Sequence, residues 1–411
     1  MIEGKRTMNG GPLEGIRVTE FTSAWAGPYA TALLAMLGAE VIKVESRKRP
    51  DYSRTISFTS GSQFSGLDAS WVYDCLNLNK KCVTLNLSKP RAVDLAKRLV
   101  SASDVVAENM RPGVIERLGL GYEALRECKR DVIYLSSSAC GQTGPEREYS
   151  GYAPAFAAMG GASFITGYED WPPSTFLGDI DLRSATTAAF AILAALVHRK
   201  KSGEGQYIDL ASRETIAVMV GDVLLDYTMN GKVQTRRGNR EETMAPHNNY
   251  RCRGDDRWIG IAVATEDEWL ALCRVMGKPE LAADGRFSDR DRRIANQEAL
   301  DRIISDWTVH HDSNVLSAML QKEGVAAAPC MNSEDLFKDP HLKAREVYQT
   351  VEHPVIGKDW VVAPPWRLSE TPAAITRHAP LLGEHNDLVF HEMLGMSREE
   401  IQALEQEEVI F

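Results

Sequence analysis

The sequence predicts an α/β chain: a large lobe built on a parallel sheet, joined to a smaller α+β lobe. Two observations carry this. Strand-like and helical runs alternate through the first half of the chain, and strand–helix–strand units at that spacing pair in parallel. Then composition shifts near residue 230, where NGKVQTRRGNREETMAPHNN is polar and turn-rich, as a crossover between lobes is. A chain of 411 residues also exceeds the comfortable size of one core.

The elements follow in order. GIRVTEF (15–21) is rich in β-formers, YATALLAMLGA (29–39) has helical spacing, and EVIKVE (40–45) is again a strand. The pattern returns as KCVTLNL (81–87), a helix over 90–102, DVVAEN (104–109) and DVIYLSS (131–137). A long apolar helix ends at Lys200, Lys201 and Gly203, cations and then glycine, as a C-terminus favours. QYIDLAS (206–212) adds a strand. Beyond the crossover, YRCRGDDRWIGIAVA (250–264) predicts a hairpin turning at GDD, and helices cover DEWLALCRVMG and ALDRIISDWTVHH. The tail holds strands in VEHPVIGKDWVVAPPWRLS and closes on a helix over SREEIQALEQE (397–407). The expected division is a lead-in (1–11), the large lobe (12–215), a linker (216–245), the small lobe (246–325) and a tail (326–411).

Composition narrows the class. The chain is 44% hydrophobic and 25% charged, as soluble domains are. No stretch reads as a membrane span of about 20 apolar residues, and the N-terminus lacks the apolar core of a signal peptide. Seven scattered cysteines without a C-x-x-C pair argue for a reducing, cytoplasmic setting and against a zinc site. A net charge of -10 disfavours nucleic acid as a partner.

Glu45, at the end of the second strand, invites a dinucleotide reading in which it holds ribose hydroxyls. The turn argues against it: TSAWAGPYA offers one glycine where close approach to a pyrophosphate needs three, and Pro28 suits a first helical position. Asp179 and Asp181 precede the long helix. An aspartate there is ordinarily a cap, but Ser184 lies closer to the helical run and could cap it, leaving an aspartate free.

Several motifs in order now carry a resemblance: PLEGIRVTEFTSAWAGPYATALLAMLGAEVIKVES (12–46), ENMRPGVIERLGLGY (108–122), SACGQTGP (138–145), AAFAILAALVHRKKSGEGQ (188–206) and PLLGEHND (380–387). Together they resemble the family III CoA-transferases from about residue 12 to the C-terminus. The resemblance implies a Rossmann-like large domain, completed by the C-terminal tail, in an intertwined dimer of interlocked rings. The partner is a second copy or a related subunit. It also implies transfer of CoA between carboxylic acids, with CoA as a carrier substrate, no permanently bound cofactor and no metal. The family's nucleophilic aspartate stands twelve residues before the first leucine of L-A-A-L, here Leu193, which selects Asp181 and leaves Asp179 a supporting role.

CoA is a polyanion, so its cleft should be basic. In ENMRPGVIERLG the resemblance assigns Asn109, Met110, Arg111 and Arg117 to CoA, against the plain reading of a solvated charged face. There a proline-started helix could also turn its N–H groups to phosphate. Arg47 and Lys80 are weaker candidates, Arg47 because Ser46 stands where relatives often carry arginine. The acyl pocket departs from the family: Trp25 replaces a glutamine before A-G-P, Cys140 replaces a common aromatic, and His247 lies in APHNNY where relatives read A-P-H-G. Trp25 and Tyr152 could face a bulky or aromatic acyl group, or be core. Succinyl-CoA is the expected donor and an acid such as benzylsuccinate the acceptor. Racemases of the same superfamily resemble G-H-D where this chain has Tyr152, Ala153 and Pro154, which leaves alpha-proton exchange without its histidine. A catalytically silent subunit of a heteromer is the other alternative.

Overall fold

The computed structural model describes residues 10–56, 65–176 and 179–411, so the lead-in lies almost wholly outside the described residues. Two compact units form, Met1–Ala162 with Thr175–Leu225 and His341–Phe411, and Ser163–Ser174 with Asp226–Pro340.

The first unit is built on six parallel strands: β1 (Arg17–Phe21), β2 (Glu40–Glu45), β3 (Lys81–Thr84), β4 (Val105–Glu108), β5 (Ile133–Ser138) and β6 (Tyr207–Ala211). Their spatial order, β3-β2-β1-β4-β5-β6, is that of a doubly wound sheet whose direction reverses between β1 and β4. Alternation sorts the strand residues between two cores. Val41, Val105, Ile133 and Leu135 face the first helix (Ala26–Met36) and the long helix (Asp179–Ser202). Ile42, Val44, Val106 and Tyr134 face the opposite way, covered by the helix Pro90–Ser101 and the C-terminal helix Arg398–Gln406. Both faces are buried, so the strands read as nearly continuous apolar runs. The C-terminal helix starts on a reciprocal cap between Ser397 and Glu400.

The long helix spans 24 residues and is apolar enough in length and composition to cross a membrane, which corrects the expectation that no stretch qualifies. Its small residues Ala185, Ala188, Ala189 and Ala195 are buried against the sheet and the first helix, so the composition serves close helix packing.

Within the first unit the tail contributes an antiparallel pair, β10 (Tyr348–His353) with β11 (Gly357–Val362). The second unit holds the antiparallel sheet β7 (His247–Arg251), β8 (Trp258–Ala262) and β9 (Ala326–Pro329). Trp269, Phe287, Leu300 and Ile304 fill its core. The predicted hairpin turns at GDD, where Gly254 takes φ +115°.

Candidate active site

In a doubly wound sheet, ligands bind beyond the carboxyl ends of the strands near the point of reversal. Several of the predicted residues occupy the loops there. Trp25 follows β1, Arg47 follows β2, Asn109 and Arg111 follow β4, and Cys140 follows β5.

The reversal point is clamped by Asn109. Its Oδ1 accepts from Ser23 N at 2.8 Å and its Nδ2 donates to Ser23 O at 2.8 Å. Gly27 explains the A-G-P motif: a Cβ there would lie 2.7 Å from Thr22 Cβ and 2.9 Å from Asn109 Cγ. Ala24 takes φ +71°, a conformation unusual for a side chain bearing Cβ, and its N–H is held by Asp51 Oδ1 at 3.0 Å. Trp25 N-caps the first helix without a side-chain bond, and Pro28 stands third in that helix, not first.

Beneath these loops lies a buried ionic layer that sequence reading missed. Lys43 Nζ lies 2.8 Å from Asp51 Oδ2 and 3.6 Å from Glu20 Oε1. Lys80 is fully buried and donates to Glu20 Oε1 at 2.8 Å, Pro28 O at 2.7 Å and Asn77 Oδ1 at 3.0 Å. Burial pushes its pKa down to about 8, against the pull of Glu20. The expectation that Lys80 meets CoA is therefore corrected: its ammonium is committed inside the fold. Glu45, the ribose candidate, is likewise occupied by the Arg54 guanidinium at 2.9 Å and the Tyr73 hydroxyl at 2.9 Å. The signal in the sequence was a lone charge within an apolar strand run, Lys43 in EVIKVE, since buried charges require partners.

The basic candidates stand outside this layer. Arg47, Arg111 and Arg117 are exposed, while Met110 is half-buried against the core. The expected helix is a single turn, Val114–Arg117, beginning after Gly113. Its N-terminus adds little dipole, so phosphate contact there would rest on the arginine side chains. Tyr152 is exposed and its ring stacks near that of Tyr52, centroids 6.2 Å apart. His247 belongs to the second unit, where its Nδ1 lies 2.6 Å from Asn239 O.

Asp181 sits in the first turn of the long helix. Arg199, 18 residues on, pairs at 2.8 Å with Asp104 at the start of β4. At 1.5 Å rise per residue, about 27 Å separate the two, which puts Asp181 at the opposite, carboxyl edge of the sheet. Ile180 anchors this turn in a cluster with Ala153, Phe156 and Ile216. Helix formation from Asp179 leaves Ser184 inside the helix, buried and without a hydrogen-bond partner among the described residues, so Ser184 is not the cap. The two aspartates differ. Asp179 reaches Arg183 at 3.4 Å, whereas no side chain among the described residues pairs with Asp181. Burial, and then the charge of Asp179, push the Asp181 carboxyl up to about 6. It remains largely ionised at neutral pH yet is poorly solvated, a combination suited to nucleophilic attack.

A second carboxyl at this edge escaped the sequence reading. Glu108, at the end of β4, is buried and accepts from Met110 N at 2.8 Å, and its other oxygen meets the Ser136 hydroxyl on β5. Burial raises its pKa to about 7, partly offset by the Ser136 bond.

The signature of CoA-transferase family III matches residues 13–386. The chain is 35% identical over 400 residues to the succinyl-CoA–D-citramalate CoA-transferase of Chloroflexus aurantiacus, covering 97% of this chain and 98% of that protein. It is 33% identical over 406 residues to the beta subunit of the succinyl-CoA–L-malate CoA-transferase of the same organism, covering 97% and 98%. Among solved structures, a CAIB/BAIF family protein from Brucella suis superposes with TM-score 0.84 at 30% identity, over 93% of this chain and 100% of that one. With the signature running nearly end to end, the chain belongs to CoA-transferase family III.

Proposed function

We propose that the protein transfers CoA from succinyl-CoA to a second carboxylic acid, with Asp181 as nucleophile. The observation that carries this is Asp181 itself: a half-buried carboxylate with no side-chain partner among the described residues, in the first turn of a helix, at the edge of the sheet where doubly wound folds bind ligands. The succinyl donor is supported by the two relatives, whose names both pair succinyl-CoA with a hydroxylated dicarboxylic acid. A dicarboxylic acceptor is therefore favoured, of which benzylsuccinate is an aromatic example that Trp25 and Tyr152 could accommodate.

The chemistry needs a carboxylate at that place. An Asp181 oxygen attacks the thioester carbonyl, the C–S bond breaks, and a mixed anhydride and CoA thiolate result. The thiolate attacks the aspartyl carbonyl, releasing succinate and leaving an enzyme thioester. The acceptor carboxylate then attacks that thioester to give a new anhydride and thiolate. Attack by the thiolate on the acceptor's carbonyl yields the new acyl-CoA and restores Asp181. Each step exchanges one activated acyl bond for another, and N–H groups of the helix's first turn are suited to steady each oxyanion. Asn109, Met110, Arg111 and Arg117, with Arg47, are proposed to hold CoA as a carrier substrate. Cys140 is proposed to shape the acyl pocket.

We further propose an intertwined dimer in the cytoplasm. The helix Gly221–Asn230 has no buried residue and exposes Leu224, Tyr227 and Met229, and the long helix exposes Phe190. Exposed apolar side chains on one helix face, as on Gly221–Asn230, favour a protein partner. The seven free cysteines accord with a reducing compartment.

The test is covalent labelling. Succinyl-CoA alone should leave CoA attached to the protein, and hydroxylamine should inactivate only after that exposure, with the lesion in the peptide containing Asp181. Asp181→Ala should abolish both labelling and turnover while leaving CoA binding nearly intact. Acyl-CoA binding without a mass increase, accompanied by exchange of the substrate's alpha-hydrogen with solvent, would overturn this reading in favour of racemisation.

A further inference from the structure

Glu108 is a buried carboxyl at this edge that belongs neither to the ionic layer nor to the transfer chemistry, and its bonds link the loop after β4 to β5. Toward the loop after β4, its Oε2 accepts the N–H of Met110 at 2.8 Å, fixing the backbone between Asn109 and Arg111. Toward the loop after β5, its Oε1 meets the Ser136 hydroxyl. Ser136 Oγ in turn accepts from Gln142 Nε2 at 2.7 Å, and Gln142 N donates to both oxygens of Asp209 on β6 at 3.0 Å. Gln142 belongs to the SACGQTGP segment that carries Cys140. One acidic side chain thus ties the segment offered to CoA to the segment offered to the acyl group.

We propose that Glu108 is a positioning residue that sets these two loops in the arrangement that receives acyl-CoA. The inference rests on the assignment of Asn109, Met110 and Arg111 to CoA. A residue with only a packing role would not need both carboxyl oxygens, nor bonds toward two different strands of the sheet. A buried carboxyl is costly unless its hydrogen bonds compensate, and here the compensating partners are the loop N–H of Met110 and the Ser136 hydroxyl near the end of β5. The neutral amide Glu108→Gln preserves the geometry, since its oxygen can accept from Met110 N while its NH2 donates to Ser136 Oγ. Glu108→Ala removes both bonds.

The experiment compares the full-length wild type, Glu108→Ala and Glu108→Gln by calorimetric titration with free CoA, by steady-state kinetics with succinyl-CoA, and by thermal melting. A hydrogen bond to a charged group accounts for about tenfold or more in affinity, so Glu108→Ala should weaken CoA binding and raise the acyl-CoA KM by about tenfold. Its kcat at saturation should change less than about threefold, because Asp181 is untouched. Glu108→Gln should restore CoA affinity to within about threefold of wild type. Unchanged CoA affinity in Glu108→Ala, or equal losses in both variants, would overturn the proposal. If Glu108→Ala does not fold, Ser136→Ala decides instead: it cuts the link to Gln142 while sparing the Met110 bond, and wild-type CoA affinity in that variant would overturn the proposal. Wild-type protein that binds no CoA would remove the functional reading itself, whereas wild-type binding matched by Glu108→Ala would remove only this inference.

Discussion

At the scale of single residues, Asp179 and Asp181 separate by what surrounds them. Asp179 pairs with Arg183 and raises the pKa of Asp181 through its charge. Removing that charge stabilises the Asp181 carboxylate, so its folded-state pKa falls from about 6. Activity requires the ionised form and is lost as pH falls through that value. Asp179→Asn should therefore move the acidic limb of kcat to lower pH while retaining most of the rate at neutral pH. A pH–rate profile checks this, and an unmoved limb would mean that Asp181 does not set it. Arg117 makes a complementary case. It is exposed, and loss of a charge-assisted phosphate contact of about 1.5–3 kcal/mol would raise KM about ten- to a hundredfold. Arg117→Ala should do so by a similar factor for every acyl-CoA, since the carrier is shared. An unchanged KM would return Arg117 to the solvated surface.

At the scale of elements, the turn from β1 into the first helix depends on close approach. Gly27 admits no Cβ without displacing Thr22 or Asn109, and Asn109 is the clamp on Ser23. Gly27→Ala should destabilise the protein by about 1–3 kcal/mol, the usual cost of overpacking. It should also raise the acyl-CoA KM, because the displaced Asn109 leads the segment offered to CoA. Denaturant titration and steady-state kinetics measure the two effects, and a stability loss with unaltered KM would separate the clamp from binding. The long helix obeys the same close-packing logic. Its buried alanines bring it against the first helix and the sheet, and this contact carries Asp181 to the ligand edge.

At the scale of the molecule, the proposed dimer is tested by mass. Sedimentation should give about 91 kDa, twice the 45.5 kDa of one chain. Activity in that species alone supports a homodimer; activity only after adding a related chain supports the heteromer to which the L-malate relative's beta subunit points. An active species at 45.5 kDa would refute both. Within the chain, the buried layer of Glu20, Lys43, Asp51 and Lys80 holds the ligand-edge loops from below. Replacing one member leaves an uncompensated buried charge, a loss of about 3–5 kcal/mol. Lys43→Met should therefore lower the melting temperature far more than a change at exposed Arg47.

Much of this was legible in the sequence for a physical reason: local periodicity and chain order are linear properties. The alternation of apolar runs is enough to call the parallel sheet, since strands buried on both faces must be apolar throughout, and EVIKVE matches β2 residue for residue. The ordered motifs from AGP to PLLGEHND carry the family, and counting back from Leu193 selects Asp181 without any geometry. What the sequence could not decide were the pairings between distant residues. Lys80 read as a free cation until folding set it against Glu20, 60 residues away, and the Arg54 guanidinium that occupies Glu45 could not be read from the chain order. Ser184 read as a cap because the helix start depends on backbone bonds and on packing around Ile180, not on the nearest hydroxyl. Glu108 was one acid among many until the sheet brought β5 beside β4 and its carboxyl met Ser136, 28 residues away. Burial decides which charges face a ligand and which face each other, and burial belongs only to the folded chain.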